Sequence, residues 1–190
     1  MSKYSPVLIS VFLILLLLSC TIYTPSAFNK KTFSPFEKPI DNFLLLYAEM
    51  PEDLYQLTED SYDQLLRGRF NDFPNQNTRQ KLHEAISNEL TSAQVYPYEL
   101  VFQTHKDYTF EEFKSGLDTV ETPYVLLVTF KKEEFVGENL SRYFQIYLLD
   151  KHTGQPLWLS YGYRLSNFFY MPSLAKGIAN ELKNETIVMN

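Results

Sequence analysis

The chain has 190 residues, enough for one domain with a substantial core. It is 45% hydrophobic and 21% charged, with 14 Tyr, 15 Phe and one Trp, which excludes an intrinsically disordered chain and favours strands around an aromatic-filled interior. Seventeen basic against 23 acidic residues give a net charge of −6, which argues against a nucleic-acid partner held through its phosphates and against adhesion to an anionic membrane by charge alone.

The first nineteen residues have the three parts of an export signal. Lys3 supplies a positive start, and Val7 to Leu18 is an apolar run of 12 residues interrupted only by Ser10. The small residue Ser19 then precedes Cys20. The run falls short of the roughly 20 residues that a spanning helix needs. Loss of residues 1–19 removes Lys3 and no acidic residue, leaving 16 basic against 23 acidic, a charge of −7. Cys20 is the only cysteine, so neither an internal disulfide nor a thiolate metal cluster is possible.

Leu17-Leu18-Ser19-Cys20 resembles a lipobox, the cleavage and lipidation site of bacterial lipoproteins. The resemblance implies a thioether from Cys20 to diacylglycerol, cleavage before Cys20 and usually a further acylation. It also implies a membrane partner through the lipid. Thr21 follows where such families carry Asp for retention at the inner membrane, and no acidic run follows the Cys; Lys30-Lys31 is basic instead. The expected location is therefore the outer membrane, facing the periplasm, with the inner membrane and the cell surface as the alternatives.

Residues 20–39 contain Pro25, Pro35 and Pro39 among polar residues and read as a lipidated tether. Nineteen flexible residues would span about 25 Å. Residues 40–190 read as a single globular domain. Phe43–Ala48 is an apolar run with the length of a buried strand. The spacing of Tyr62, Leu65 and Leu66 is helical, with Gly68 as a stop, but Pro51–Gly68 is ambiguous; Arg69–Gln76 reads as loop. Asn77–Ala93 predicts a helix capped by Asn77 with Gln80, whose stripe is Leu82, Ala85, Ile86, Leu90 and Ala93. Tyr98–Gln103 alternates like a strand, and Thr109–Leu117 predicts a short helix capped by Thr109.

Tyr124–Phe130 has the near-continuous apolar character of a central strand. Arg142–Asp150 and Leu157–Leu165 flank Asp150-Lys151-His152-Thr153-Gly154-Gln155, a hairpin turn in which Asp150 accepts backbone N–H bonds and Gly154 takes a positive φ. Pro172–Leu182 predicts the closing helix, with Leu174, Ile178 and Leu182 on its apolar line. The order β-α-β-α-β-β-β-α defines an α/β fold with a mixed five-stranded sheet and helices packed on it.

Residues 120–182 resemble small periplasmic lipoprotein domains: activators of penicillin-binding proteins, the curli-secretion lipoprotein and the N-terminal domain of the Tol-system propeller protein. The carrying residues are Thr122-Pro123-Tyr124-Val125-Leu126-Leu127-Val128, then Tyr143, Leu148, Asp150, Thr153, Gly154, Leu157 and Trp158. That group implies a non-enzymatic role with a protein partner in an envelope assembly.

No residue constellation demands catalysis. His83, His105 and His152 lack metal spacing, and neither a nucleophile elbow nor a phosphate-cradling loop is present. The carboxylate pairs Glu52-Asp53, Glu59-Asp60, Glu111-Glu112 and Glu133-Glu134 have the pattern of solvated faces. Tyr161, Tyr163, Phe168, Phe169 and Tyr170 are either core or a binding patch. Asn139 and Asn184 stand in formal glycosylation sequons, which mean nothing if the chain is bacterial, as the lipobox resemblance implies. Three functions are expected in descending order: a non-catalytic lipoprotein that binds an envelope protein, a carrier of a lipid or small apolar ligand, and a cell-wall hydrolase using an acidic pair. No cofactor and no metal are expected.

Overall fold

The structure is a computed structural model in which residues 29–137, 139–165 and 170–189 are described. Cys20 and the signal therefore lie outside the described residues, as do the side chains of Tyr163, Phe168, Phe169 and Tyr170.

The sheet has six strands in the order β1-β6-β5-β4-β2-β3: β1 Asn29–Thr32, β2 Asn42–Glu49, β3 Gln94–Tyr96, β4 Tyr124–Val136, β5 Asn139–Asp150 and β6 Pro156–Leu165. Among the described residues four helices accompany it: α1 Glu59–Ser61, which runs into a π-helical turn Tyr62–Leu66, α2 Gln76–Glu89, α3 Phe110–Asp118 and α4 Tyr170–Asn184. The α/β class and the mixed sheet agree with the sequence. β2 pairs in parallel with β3 and β4, which helices separate, whereas β4–β5 and β5–β6 are antiparallel hairpins.

Three expectations are corrected. The sheet has six strands rather than five, because Asn29–Thr32 within the supposed tether adds an edge strand antiparallel to β6. Lys30 secures that strand to α4 through Glu181 and Glu185, at 2.5 and 3.1 Å, and the Glu181 carboxylate holds the Lys30 amine above its usual pKa. The second expected strand is displaced: Gln94–Tyr96 pairs, while Tyr98–Leu100 is a 3-10 turn. Tyr98 and Phe102 both point into the core and the Phe102 N–H bonds to the Tyr98 carbonyl, so the apparent alternation has a helical origin. Finally, α2 follows a 3-10 turn at Phe73–Asn75. Asn75, not Asn77, occupies its N-cap and makes no side-chain cap bond.

Two cores sandwich the sheet. On one face Phe43, Leu45, Tyr47, Leu126, Val128, Phe144, Ile146 and Trp158 pack under α2 and α4. On the other, Leu44, Leu46, Ala48, Val125, Leu127 and Tyr147 pack under α3 and the segment 50–70. This alternation explains why β2 is apolar at nearly every position. The second layer contains little regular structure, and rings fill it: Phe113 lies 4.7 Å from Tyr62, 5.1 Å from Phe70 and 5.3 Å from Phe102, centroid to centroid.

The Thr109 cap is as the sequence predicts. Its Oγ1 accepts from the Glu112 N–H at 3.1 Å and the Glu112 carboxylate accepts from the Thr109 N–H at 2.9 Å. Thr109→Ala is expected to cost about 1 kcal/mol. Thermal unfolding followed by circular dichroism should show a drop in Tm of a few degrees, and an unchanged Tm would mean that packing alone sets this helix.

Candidate functional site

The order of connections places a crevice in the sheet. The β2-α2-β3 crossover carries the chain to one edge with α2 on one face, and the β3-α3-β4 crossover returns it past β2 with α3 on the other face. β2 and β4 are neighbours whose chains leave for opposite edges of the sheet, β2 for β3 and β4 for β5; this is a topological switch point, and ligands in open α/β sheets bind outside the carboxyl ends of such strands. A cleft of about 300 Å³ lies at that position. Tyr47 and Glu49 from the end of β2, Phe130 and Glu133 from β4, Arg142 from β5, and Asn75 and Thr78 at the start of α2 line it.

The lining is mostly polar. Arg142 Nε lies 3.3 Å from the Glu133 carboxylate, so one cation and one anion face each other across the two strands. Glu49 adds a second carboxylate, and the rings of Tyr47 and Phe130 form the apolar floor that continues into the core. Asn75 is 4% exposed and its side chain does not cap the helix it begins, so its amide can serve the cleft.

Two residues before Asn75 the chain carries an aromatic platform. Phe73 is 57% exposed and stacks on His105 at 4.6 Å. His105 takes a left-handed backbone with φ of 69°, and its N–H bonds to the Asn71 carbonyl. Beneath the platform Arg79 is buried without a carboxylate. Its Nη1 donates to the carbonyls of Phe70 and Asp72 at 3.1 and 2.8 Å, and its Nη2 donates to the Tyr98 hydroxyl at 3.2 Å. Burial pushes this guanidinium below its usual pKa, and the Tyr98 ring 4.1 Å away offsets part of the cost. Arg79 thus ties the start of α2 to the segment that carries the platform.

The residues singled out in the sequence are mostly elsewhere. His83 bonds the Val95 carbonyl at 2.9 Å, and His152 is exposed in the β5–β6 turn. Glu52 pairs with Arg69 and Asp53 with Lys131, both at 3.0 Å. Glu59 and Asp60 start α1, and Glu112 caps α3. Of the four carboxylate pairs, Glu133 alone reaches the cleft. Tyr161 is half-buried against the second core. Among the described residues no three His, Cys, Asp or Glu side chains are grouped to hold a metal, and no helix is long and apolar enough to cross a membrane.

The fold and the cleft define an open α/β domain with a polar crevice at its switch point. No protein-family model matches the sequence, and no curated protein matches it. Among solved structures, the chain is similar to a PelC dodecamer from Paraburkholderia phytofirmans at 9% identity and a TM-score of 0.46, over 85% of this chain and 97% of that one. A point variant of PelC from the same organism aligns at 12% identity and a TM-score of 0.49, over 86% and 97%. Lipoprotein GNA1162 from Neisseria meningitidis aligns at 14% identity and 0.39, over 77% and 99%.

Proposed function

We propose that this chain is a lipid-anchored accessory protein of a bacterial envelope, whose domain binds a protein partner and performs no chemistry of its own. The membrane attachment rests on Cys20, the sole cysteine, at the one position that a lipobox requires. The observation that carries the docking role is the exposed Phe73–His105 stack, with Phe73 two residues before Asn75, which lines the polar cleft at the switch point. A half-exposed aromatic ring held rigid by a stacked neighbour is the kind of anchor that buries at the centre of an interface. The Glu133–Arg142 pair and Glu49 supply charges that can fix a partner's register.

The test is site-specific photocrosslinking in intact cells. A photoreactive residue in place of Phe73 is expected to give one discrete protein adduct, which Glu49→Lys weakens. A photoreactive residue in place of exposed His152, at the far end of the sheet, should not give it. Absence of any adduct from position 73 contradicts a partner on this surface.

The size and placement of the cleft favour one second reading, a site for a small ligand. Glu49, Asn75, Thr78, Glu133 and Arg142 suit a polar molecule rather than the lipid or apolar ligand expected from the aromatic residues. Native mass spectrometry of the purified protein separates the two readings, since only a carrier retains a small molecule.

A further inference from the structure

The β4–β5 hairpin runs on past the end of β2. β2 leaves β4 at the Glu49–Phe130 pair, and among the described residues β6 is paired with β5 as far as Arg142. Past the end of β2, Lys132–Val136 pairs with Tyr143–Asn139, out to a turn where Gly137 has φ of 65°. At about 3.3 Å per residue, Phe135 stands about 16 Å past the end of β2. Its side chain is 75% exposed, that of neighbouring Val136 is 39% exposed, and Leu140 pairs opposite Phe135. An apolar tip on a projecting hairpin gains nothing for the fold by standing in water.

The placement of β1 shows where this tip points. β1 runs antiparallel to β6 with Asn29 opposite Tyr161, so its first residue faces the same end of the sheet as the hairpin tip. Through the β6, β5 and β4 registers, Asn29 is level with about Thr129. The tip therefore lies about 20 Å further along the strands and three strand spacings, about 14 Å, to the side. Cys20 is nine residues before Asn29, and nine residues reach at most about 30 Å. The tip is thus within reach of any bilayer that holds a lipid on Cys20, on the side from which the chain enters the domain.

The charges of the hairpin select the kind of surface. From Lys131 to Arg142 there are three basic residues, Lys131, Lys132 and Arg142, and three acidic ones, Glu133, Glu134 and Glu138, so the hairpin is neutral within a chain of net charge −6. Among the described residues, Lys132 pairs with Glu134 at 2.8 Å and Arg142 with Glu133 at 3.3 Å, while Glu138 of the turn lies outside them. A hairpin of balanced charge ending in exposed Phe and Val suits the headgroup layer of a zwitterionic bilayer, where the apolar side chains leave water while the backbone keeps its β4–β5 hydrogen bonds.

We propose that Phe135 and Val136 form a second membrane contact, seated in the headgroup layer of the bilayer that carries the lipid on Cys20. This rests on the lipid-anchor reading above. Two attachment points fix the orientation of the domain, turning the cleft between β2 and β4 toward the membrane.

The experiment uses the full-length lipidated chain in phosphatidylcholine–phosphatidylethanolamine vesicles. Cys20 is the only native cysteine and its thiol is consumed by the lipid, so Val136→Cys or His152→Cys introduces the single labelling site for an environment-sensitive dye. Nitroxide placed along the acyl chains is expected to quench the dye at position 136 about threefold more strongly than at position 152, with a blue shift at 136. Phe135→Ser in the Val136→Cys background should abolish the difference while acylation persists. An acylated, vesicle-bound protein whose position 136 is no more quenched than position 152 overturns this inference alone. A blue shift without lipid quenching marks a second copy or another protein on the tip and also overturns it. A chain that takes up no acyl label and does not bind vesicles overturns both this inference and the anchor on which it rests.

Discussion

Gly154→Ala is expected to destabilise the domain by roughly 3–5 kcal/mol, a large share of the stability of a domain this size. Gly154 sits in the β5–β6 turn at φ of 69°. A left-handed backbone alone costs a non-glycine residue about 1–2 kcal/mol. Here a Cβ would also collide with the Leu57 carbonyl oxygen, a backbone atom that cannot rotate away. That carbonyl is held in place because the Leu57 N–H donates to the Gly154 carbonyl at 2.9 Å and Gln56 Nε2 donates to the Thr153 carbonyl at 3.2 Å. Gly137 provides the control, with φ of 65° and nothing within 4 Å of an added Cβ. Gly137→Ala should cost only the conformational term, about 1 kcal/mol. Equilibrium urea denaturation of both variants measures the difference. Equal midpoints would show that the contact between the turn and residues 56–57 does not hold the segment to the sheet.

This turn was legible in the sequence, and the reason is local chemistry. Asp150 Oδ1 accepts from the N–H groups of His152 and Thr153 at 3.0 and 2.7 Å, which is what Asp at that position of a tight turn does. The flanking strands were legible because apolar residues recur at every second position or at every position. β1 left no such trace: Asn-Lys-Lys-Thr is polar throughout and fully exposed, and its pairing with β6 and the Lys30–Glu181 contact are long-range facts. Tyr98–Gln103 misled because Tyr98 and Phe102 reach the core from one side of a helical turn while Leu100 between them is exposed, so the segment is not a pleat.

The cleft was not legible residue by residue. Its lining comes from β2, β4, β5 and the start of α2, spread over nearly a hundred residues, and no spacing rule joins them. A signal did exist at the level of topology. A strand-helix-strand-helix-strand order allows the chain to leave neighbouring strands for opposite edges of the sheet, and where it does, a crevice opens beside the first strand. The strand order itself had to be seen, because β-propensity does not say which neighbour β2 takes on each side. Arg79 was missed for a similar reason. A cation within a helix reads as an exposed residue, and the carbonyls of Phe70 and Asp72 with the Tyr98 hydroxyl and ring make its burial tolerable.

Cys20→Ala is expected to move the protein from the membrane fraction to the soluble fraction and to abolish acyl labelling. The size of the effect follows from comparing attachments. Two or three acyl chains at about 0.8 kcal/mol per buried methylene hold a protein effectively permanently. Complete burial of Phe135 and Val136 yields at most about 1.5–3 kcal/mol each, and partial seating in a headgroup layer yields less, so the hairpin tip orients a tethered domain but does not retain a free one. An unprocessed signal is also a weak hold, since its apolar run of 12 residues is too short to span. Carbonate extraction therefore should release the variant and leave the wild type bound. Phe135→Ser should remain bound, because it loses the smaller contact and keeps the lipid. Intact mass should then report the cause: a wild type without residues 1–19 and with the added lipid mass, and a variant with no acyl mass. A Cys20→Ala variant that resists carbonate extraction, beside a wild type that takes up no label, would locate the membrane attachment somewhere other than Cys20.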